Sequence, residues 1–149
     1  PRVYVEFNYA TGDDDPTDDQ SDQFRTLYPT GHLYHGYVDV VGWENVLNLR
    51  LGVVAKPHAK WRIRVDYHHF QRDTEQGTWV NVAGLPVRNG AAGTSKHLGD
   101  EFDFVVYWTP FKQFSMQFGY GVFLPGQFVS DTGDDPVSHF GYIQALLKF

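Results

Sequence analysis

Six stretches of this chain alternate apolar and polar residues with a period of two, and in each the apolar set keeps to a single parity. That pattern belongs to strands with one apolar face. Val3, Val5, Phe7 and Tyr9 alternate with Arg2, Tyr4, Glu6 and Asn8 over Arg2 to Ala10. Over Trp43 to Ala55, Trp43, Leu47, Leu49, Leu51 and Val53 oppose Glu44, Asn48, Arg50 and Gly52. Trp61, Ile63, Val65 and Tyr67 oppose Arg62, Arg64, Asp66 and His68, and Phe102, Phe104, Val106 and Trp108 oppose Glu101, Asp103, Val105 and Tyr107. From Phe114 to Val122 the even positions are apolar, against Ser115, Gln117, Gly119 and Gly121. Phe140 to Phe149 sets Gly141, Ile143, Ala145, Leu147 and Phe149 against Tyr142, Gln144, Leu146 and Lys148. The expected fold class is therefore all-β and antiparallel.

The connections alternate in length. Roughly thirty residues are followed by about five around Lys56-Pro57-His58-Ala59, about thirty, about four around Pro110-Phe111-Lys112, then about fifteen, where a hairpin normally needs about two to five. Short turns on one edge, long loops on the other, strands of about 9 to 11 residues and two unlike faces describe an up-and-down transmembrane β-barrel. In that reading residues 1–149 form one barrel segment, with long extracellular loops at about 11–42, 71–99 and 124–138, and both chain ends lie on the short-turn side. A soluble sandwich or lipocalin-like barrel would also alternate, with the apolar face as its core. Two features favour the membrane. The polar face is unusually charged, and rings gather near the ends of the apolar face at Tyr9, Trp43, Trp61, Tyr67, Trp108, Phe114, Tyr120 and Phe149, where interfacial girdles sit. Aromatics make up 17 % of the chain although mean hydropathy is only −0.40, and no run is apolar enough for a transmembrane helix.

Composition also excludes chemistry. Without cysteine there are no disulfides, thiolate metal sites or thiol nucleophiles. A net charge of −6 argues against a nucleic-acid partner. No GxSxG, HExxH or phosphate-binding glycine loop occurs. Glu101 and Asp103 stand two apart on one strand, about 7 Å, a spacing used by inverting glycosidases. They lack an aromatic subsite of their own, and arginine pairing explains them equally well, so the chain does not read as an enzyme. His32 with His35, and His68 with His69, offer no convincing third ligand, and the pair points to opposite faces of its strand. The run Asp13, Asp14, Asp15, Asp18, Asp19 and Asp22, and Asp131, Asp134 and Asp135, lack the order of an EF-hand and read as solvated loop. No cofactor and no metal are expected.

The stretches Leu27-Tyr28-Pro29-Thr30-Gly31-His32, Gly36-Tyr37-Val38-Asp39 and Gly42-Trp43-Glu44-Asn45-Val46 resemble the alginate-export family of outer-membrane β-barrels. So do Lys96-His97-Leu98-Gly99-Asp100-Glu101-Phe102-Asp103 and Gln117-Phe118-Gly119-Tyr120-Gly121. The resemblance implies the C-terminal part of an eighteen-stranded barrel in the bacterial outer membrane, exporting an anionic polysaccharide through a basic constriction. Phe149 behind alternating residues resembles the signal read by the barrel-assembly machinery. Six strands fall below the eight of the smallest single-chain barrels, and an open edge in lipid leaves backbone groups unpaired at several kcal/mol each. The remaining strands would come from the rest of a longer chain or from other subunits. Membrane lipid and lipopolysaccharide would surround the apolar face.

Arg50, Arg62 and Arg64 share the inward parity, and guanidinium groups grip sugar carboxylates bidentately. With Asp66, Glu101, Asp103, Gln117, Tyr142 and Lys148 they are the expected pore-lining, substrate-binding set. Register decides whether the arginines face a solute or pair internally, since a two-residue shift exchanges Arg50 opposite Arg64 for Arg50 opposite Asp66. The first loop could fold inward as a gate. The function expected is a passive channel for an anionic polysaccharide or small acidic solutes. The alternatives are a structural barrel that docks another envelope protein and a soluble carbohydrate-binding β-domain.

Overall fold

A computed structural model describes the chain apart from Pro16, Pro29 and Leu33; Pro29 of the Leu27–His32 stretch thus lies outside the described residues. Six strands form one antiparallel sheet: β1 (Arg2–Ala10), β2 (Val46–His58), β3 (Trp61–Gln71), β6 (His97–Phe111), β7 (Phe114–Pro125) and β8 (Ser138–Leu147), ordered β1-β2-β3-β6-β7-β8. A hairpin, β4 (Gly77–Val80) with β5 (Pro86–Gly90), and one short helix, α1 (Gln127–Thr132), occupy the long-loop edge. The sheet is open, with β1 and β8 at its edges. No described helix is long and apolar enough to cross a membrane.

Several boundaries differ from expectation. β2 begins at Val46, not Trp43, because Asn45 adopts φ +50° and leaves the extended path. Its amide is tied instead to the next loop: Nδ2 donates to the Gln76 carbonyl at 3.0 Å and Oδ1 accepts from the Thr74 N–H at 2.8 Å. Trp43 therefore leaves the outer face and packs in the loop against His35, with ring centroids 4.2 Å apart. β2 also continues through Pro57 to His58, and only Ala59 and Lys60 form the turn. Pro57 has no N–H to give the ladder, and the register shifts between Ala55 and His58 where it sits. A similar shift at Trp108/Phe111 absorbs Pro110. β6 starts at His97, ahead of the expected position, and β8 ends at Leu147, leaving Lys148 and Phe149 beyond it. The loops expected at 71–99 and 124–138 are not bare: they carry the β4–β5 hairpin and α1.

The two faces are buried in the reverse of the soluble order. On the interior strands, flanked on both sides, Val65, Phe102 and Phe104 remain 44–47 % exposed, whereas Asp66, Glu101 and Asp103 on the opposite face are at most 2 % exposed. A sandwich core would have covered the first set. Rings mark both ends of the apolar face. Trp61 stacks on Trp108 at 5.8 Å and Phe114 meets Trp108 edge-on at 6.3 Å near the short turns. Near the long loops Tyr67 packs on Phe102 at 4.9 Å and donates to Asp100 Oδ1 at 2.6 Å, while Tyr9 donates to Asp73 at 3.2 Å. The apolar core lies instead between the polar face's upper end and the loops: Phe70, Leu98 and Phe123 from the strands meet Val41, Trp79, Phe128 and Val129.

Candidate functional site: a sealed acidic tier above an open basic cleft

The inner face divides along the strands into two tiers. In the upper one the later part of the first loop, residues 34–45, lies over the sheet and is held mainly through backbone. The Val38 N–H donates to Glu101 Oε1 at 2.9 Å and the Tyr37 N–H to Asp103 Oδ1 at 3.4 Å. Asn48 Nδ2 reaches the Tyr34 carbonyl at 2.9 Å, and the Gly42 N–H and Val40 carbonyl bond to Val80 and the Trp79 indole on β4. Gly36 makes the approach possible. Its φ is +85°, and a Cβ there would lie 2.1 Å from Glu101 Oε1. The loop thus occupies the carboxylates with main-chain donors and withholds them from any solute, which removes the geometry a glycosidase would need.

His35 belongs to this loop and turns its ring inward, fully buried between Trp43 and Phe70, and among the described residues neither ring nitrogen has a hydrogen-bond partner. Burial pushes its imidazole down to about 4, only partly offset by the nearby Val41 and Gly42 backbone. His32 is distinct: its Nδ1 lies 3.0 Å from Asp39 Oδ2. The aspartates of the distal first loop cap turns, Asp15 accepting from the Thr17 N–H and hydroxyl and Asp18 from the Gln20 N–H. Arg72, just past β3, lies against the Phe128 ring at 3.8 Å and donates to the Glu75 carbonyl and Thr94 Oγ1, binding the two segments that flank the β4–β5 hairpin to α1.

Between the tiers sits Asp66, fully buried. Arg50 grips it bidentately, Nε to Oδ1 at 3.2 Å and Nη2 to Oδ2 at 3.1 Å, and also reaches Glu6 at 3.5 Å. Tyr4 donates its hydroxyl to Asp66, and Arg64 its Nε–H. The register settles the open question differently from either expectation, because Arg50 stands opposite His68, and Asp66 opposite Gly52 on one side and Asp103 on the other. The pairing is diagonal. A buried carboxylate beside another, with no arginine near, would be strongly unfavourable, and Arg50 and Arg64 are the compensation. His68 Nε2 stands 3.7 Å from Asp103 Oδ2, and Asn48 lies 3.2 Å from its other nitrogen.

Below this layer, toward the short turns, the face opens into two adjoining clefts of about 500 and 520 Å³ that share Lys56, Arg62 and Tyr107. One is further lined by Arg2, Tyr4 and Arg64, the other by Lys60, Gln117 and Gln144, and neither lining includes a carboxylate. Arg62 is exposed there, its guanidinium 3.8 Å over the Tyr107 ring. Among the described residues it pairs with no carboxylate. The stack holds the cation flat and presents its N–H edge outward. Gln117 donates to the Tyr142 hydroxyl on the neighbouring strand, and Tyr142 stacks on Tyr37 at 5.8 Å, linking cleft to loop.

Of the expected set, then, Arg62, Arg64 and Gln117 line the clefts and Tyr142 borders them. Arg50, Asp66, Glu101 and Asp103 join in one buried network. Lys148 stands apart, beyond the end of β8, its N–H donating to the Gln113 carbonyl at 2.8 Å. Lys60, in the short turn, and Arg2 and Lys56 on the strands were missed. Arg2 and Lys56 have the inward parity, and Lys56 lies one residue past the expected end of its strand.

No curated protein matches the chain. The sequence pattern of the family described as alginate export matches residues 1–142 of the 149. That match spans β1 through β7, the first half of β8, the covering loop and every cleft-lining residue except Gln144 and Leu146, and the chain belongs to the alginate-export family.

Proposed function

We propose that this chain forms part of the wall of an outer-membrane β-barrel, and that its inner face is a passive conduit for an anionic polysaccharide of the alginate type or for small acidic solutes. The observation that carries the reading is the basic cleft: Arg2, Lys56, Lys60, Arg62 and Arg64 converge on one open surface whose marginal carboxylate, Glu6, is paired with Arg50, beneath a tier whose acids are already paired or capped. A polyuronate offers a carboxylate on each sugar. Arginine and lysine hold such groups by charge-assisted hydrogen bonds, and the tyrosines offer flat faces to the rings. Because the cations belong to a half-open surface, attraction stays weak enough for the polymer to leave. Membership of the alginate-export family supports the same substrate class.

The exposed apolar face supports the membrane part of the reading. Strands of 9 to 15 residues meet the length needed to cross the hydrocarbon, and a soluble carbohydrate-binding domain would leave Phe102, Phe104 and Val65 in water. Lipid and lipopolysaccharide would cover that face. The free edges of β1 and β8 need partners in lipid, which further strands of a longer chain would supply, or other subunits.

Charge reversal in the cleft tests the conduit. In planar bilayers, Lys56→Glu with Arg62→Glu is expected to abolish anion preference in reversal-potential measurements and to weaken block by oligouronate about tenfold or more, roughly 1.4 kcal/mol. Unchanged selectivity would exclude the cleft from the solute path and leave a structural, docking role for the barrel.

A further inference from the structure

Residues three apart on a regular strand point to opposite faces, which would separate His97 from Asp100. β6 departs from regularity at that point. His97 stands opposite Gln71 and Gly99 opposite Phe70, so Leu98 is an extra residue without a counterpart on β3. A bulge of this kind re-aims the side chains around it. Leu98 turns into the apolar core, and His97 joins Asp100 on the outward face. Gly99, at φ +156°, is what permits the bulge: a Cβ there would lie 2.6 Å from the Leu124 carbonyl oxygen and 2.5 Å from the Phe123 ring.

The bulge delivers His97 to a pair that already exists, since His69 is the register partner of Asp100. His69 Nδ1 lies 2.8 Å from Asp100 Oδ1 and His97 Nε2 3.2 Å from Asp100 Oδ2, and one ligand atom from each of the three residues falls within 4.8 Å of the others. The imidazoles stack with centroids 5.0 Å apart, and all three side chains are about one quarter to one third exposed. A tetrahedral zinc ion with ligands at about 2.0 to 2.2 Å has ligand-to-ligand edges of about 3.3 to 3.6 Å. Small rotations of these side chains reach that spacing. Supporting groups are in place as well: Tyr67 donates to Asp100 at 2.6 Å, and the Gln71 amide lies 3.1 Å from His69 Nε2, where its oxygen, turned inward, accepts the Nε2–H that a metal at Nδ1 requires.

We propose that His69, His97 and Asp100 form a binding site for a divalent transition metal of the zinc class, two imidazoles and one carboxylate, at the long-loop rim of the outward face. The fourth position faces outward and takes water or an oxygen ligand. Such an ion would join β6 to β3 at its bulge.

The test uses the full chain in detergent micelles after dialysis against a chelator. Zinc titrated by calorimetry is expected to bind one ion per chain at about micromolar affinity, and cobalt to give the intense visible bands of four-coordination. His97→Gln and Asp100→Asn are expected to lower zinc affinity at least about tenfold, while His58→Gln and His139→Gln, at histidines outside the cluster, leave it unchanged. Zinc binding that survives His97→Gln, or affinity weaker than about 1 mM, overturns the site. The cobalt spectrum of the unaltered chain needs no variant to fold, and octahedral bands alone overturn it equally.

Discussion

Arg50 illustrates how a residue can lie on the right face and still be withheld from a solute. Its parity gives it the same standing as Arg62, yet Arg50 is 3 % exposed and committed to Asp66, while Arg62 stands open over Tyr107. Alternation reads which face a side chain takes. It does not read depth along the strand or what lies above, and those separate a structural arginine from a solute-facing one. Lys56 and Arg2 carried the same parity signal, and extending the second strand by one residue past Ala55 would have found Lys56. The two arginines also fail differently. Arg50→Ala leaves Asp66 buried with one cation fewer and is expected to cost about 3 kcal/mol, read as a lower urea midpoint for unfolding from lipid. Arg62→Ala removes an exposed group and is expected to leave that midpoint within about 0.5 kcal/mol while weakening oligouronate block.

At the scale of elements, the six strands and the alternation of short and long connections were legible because each rests on local periodicity. Three things were not. The inward course of the first loop depends on acids more than fifty residues away, Glu101 and Asp103; the β4–β5 hairpin has little alternation; and α1 spans only six residues. The loop seat is testable at Gly36. Gly36→Val would drive a side chain into Glu101 from a backbone that valine does not favour, and is expected to unseat the loop and raise single-channel conductance. The seat also responds to pH. His35 has a seated value of about 4, against 6.5 when free, so the seated loop binds fewer protons between those limits. Its contribution is complete above pH 6.5 and is lost as pH falls toward 4, on the order of 3 kcal/mol in all. The His35 share is read by difference: between pH 7 and pH 5, conductance and hydrogen exchange over residues 34–42 are expected to rise more in the unaltered chain than in a His35→Phe variant.

For the whole molecule, the deciding property is which face water is kept from. Folding here buries a network of arginines, aspartates, glutamate and histidine under a loop and leaves an aromatic-rimmed apolar face outside. In a bilayer, the Trp61–Trp108 stack marks one boundary of that face. Its fluorescence is expected to be quenched by lipids brominated on the acyl chain, and quenching by aqueous iodide alone would exclude burial in lipid. Intact mass measured on the native polypeptide, extracted in detergent and denatured, separates the two ways of completing the wall. About 50 kDa, the size of eighteen such strands with their loops, fits a single chain, and a mass near 17 kDa, that of these 149 residues, fits assembly from several copies.

The loop meets Glu101 and Asp103 through the amide hydrogens of Val38 and Tyr37, donors that every residue except proline possesses. The seat therefore places little demand on which side chains the loop displays. Evolution can change the loop's bulk and charge, and so the aperture and its preferences, while the anchorage persists. An engineer can do likewise by redesigning the loop's free surface while keeping Gly36 and the two carboxylates fixed.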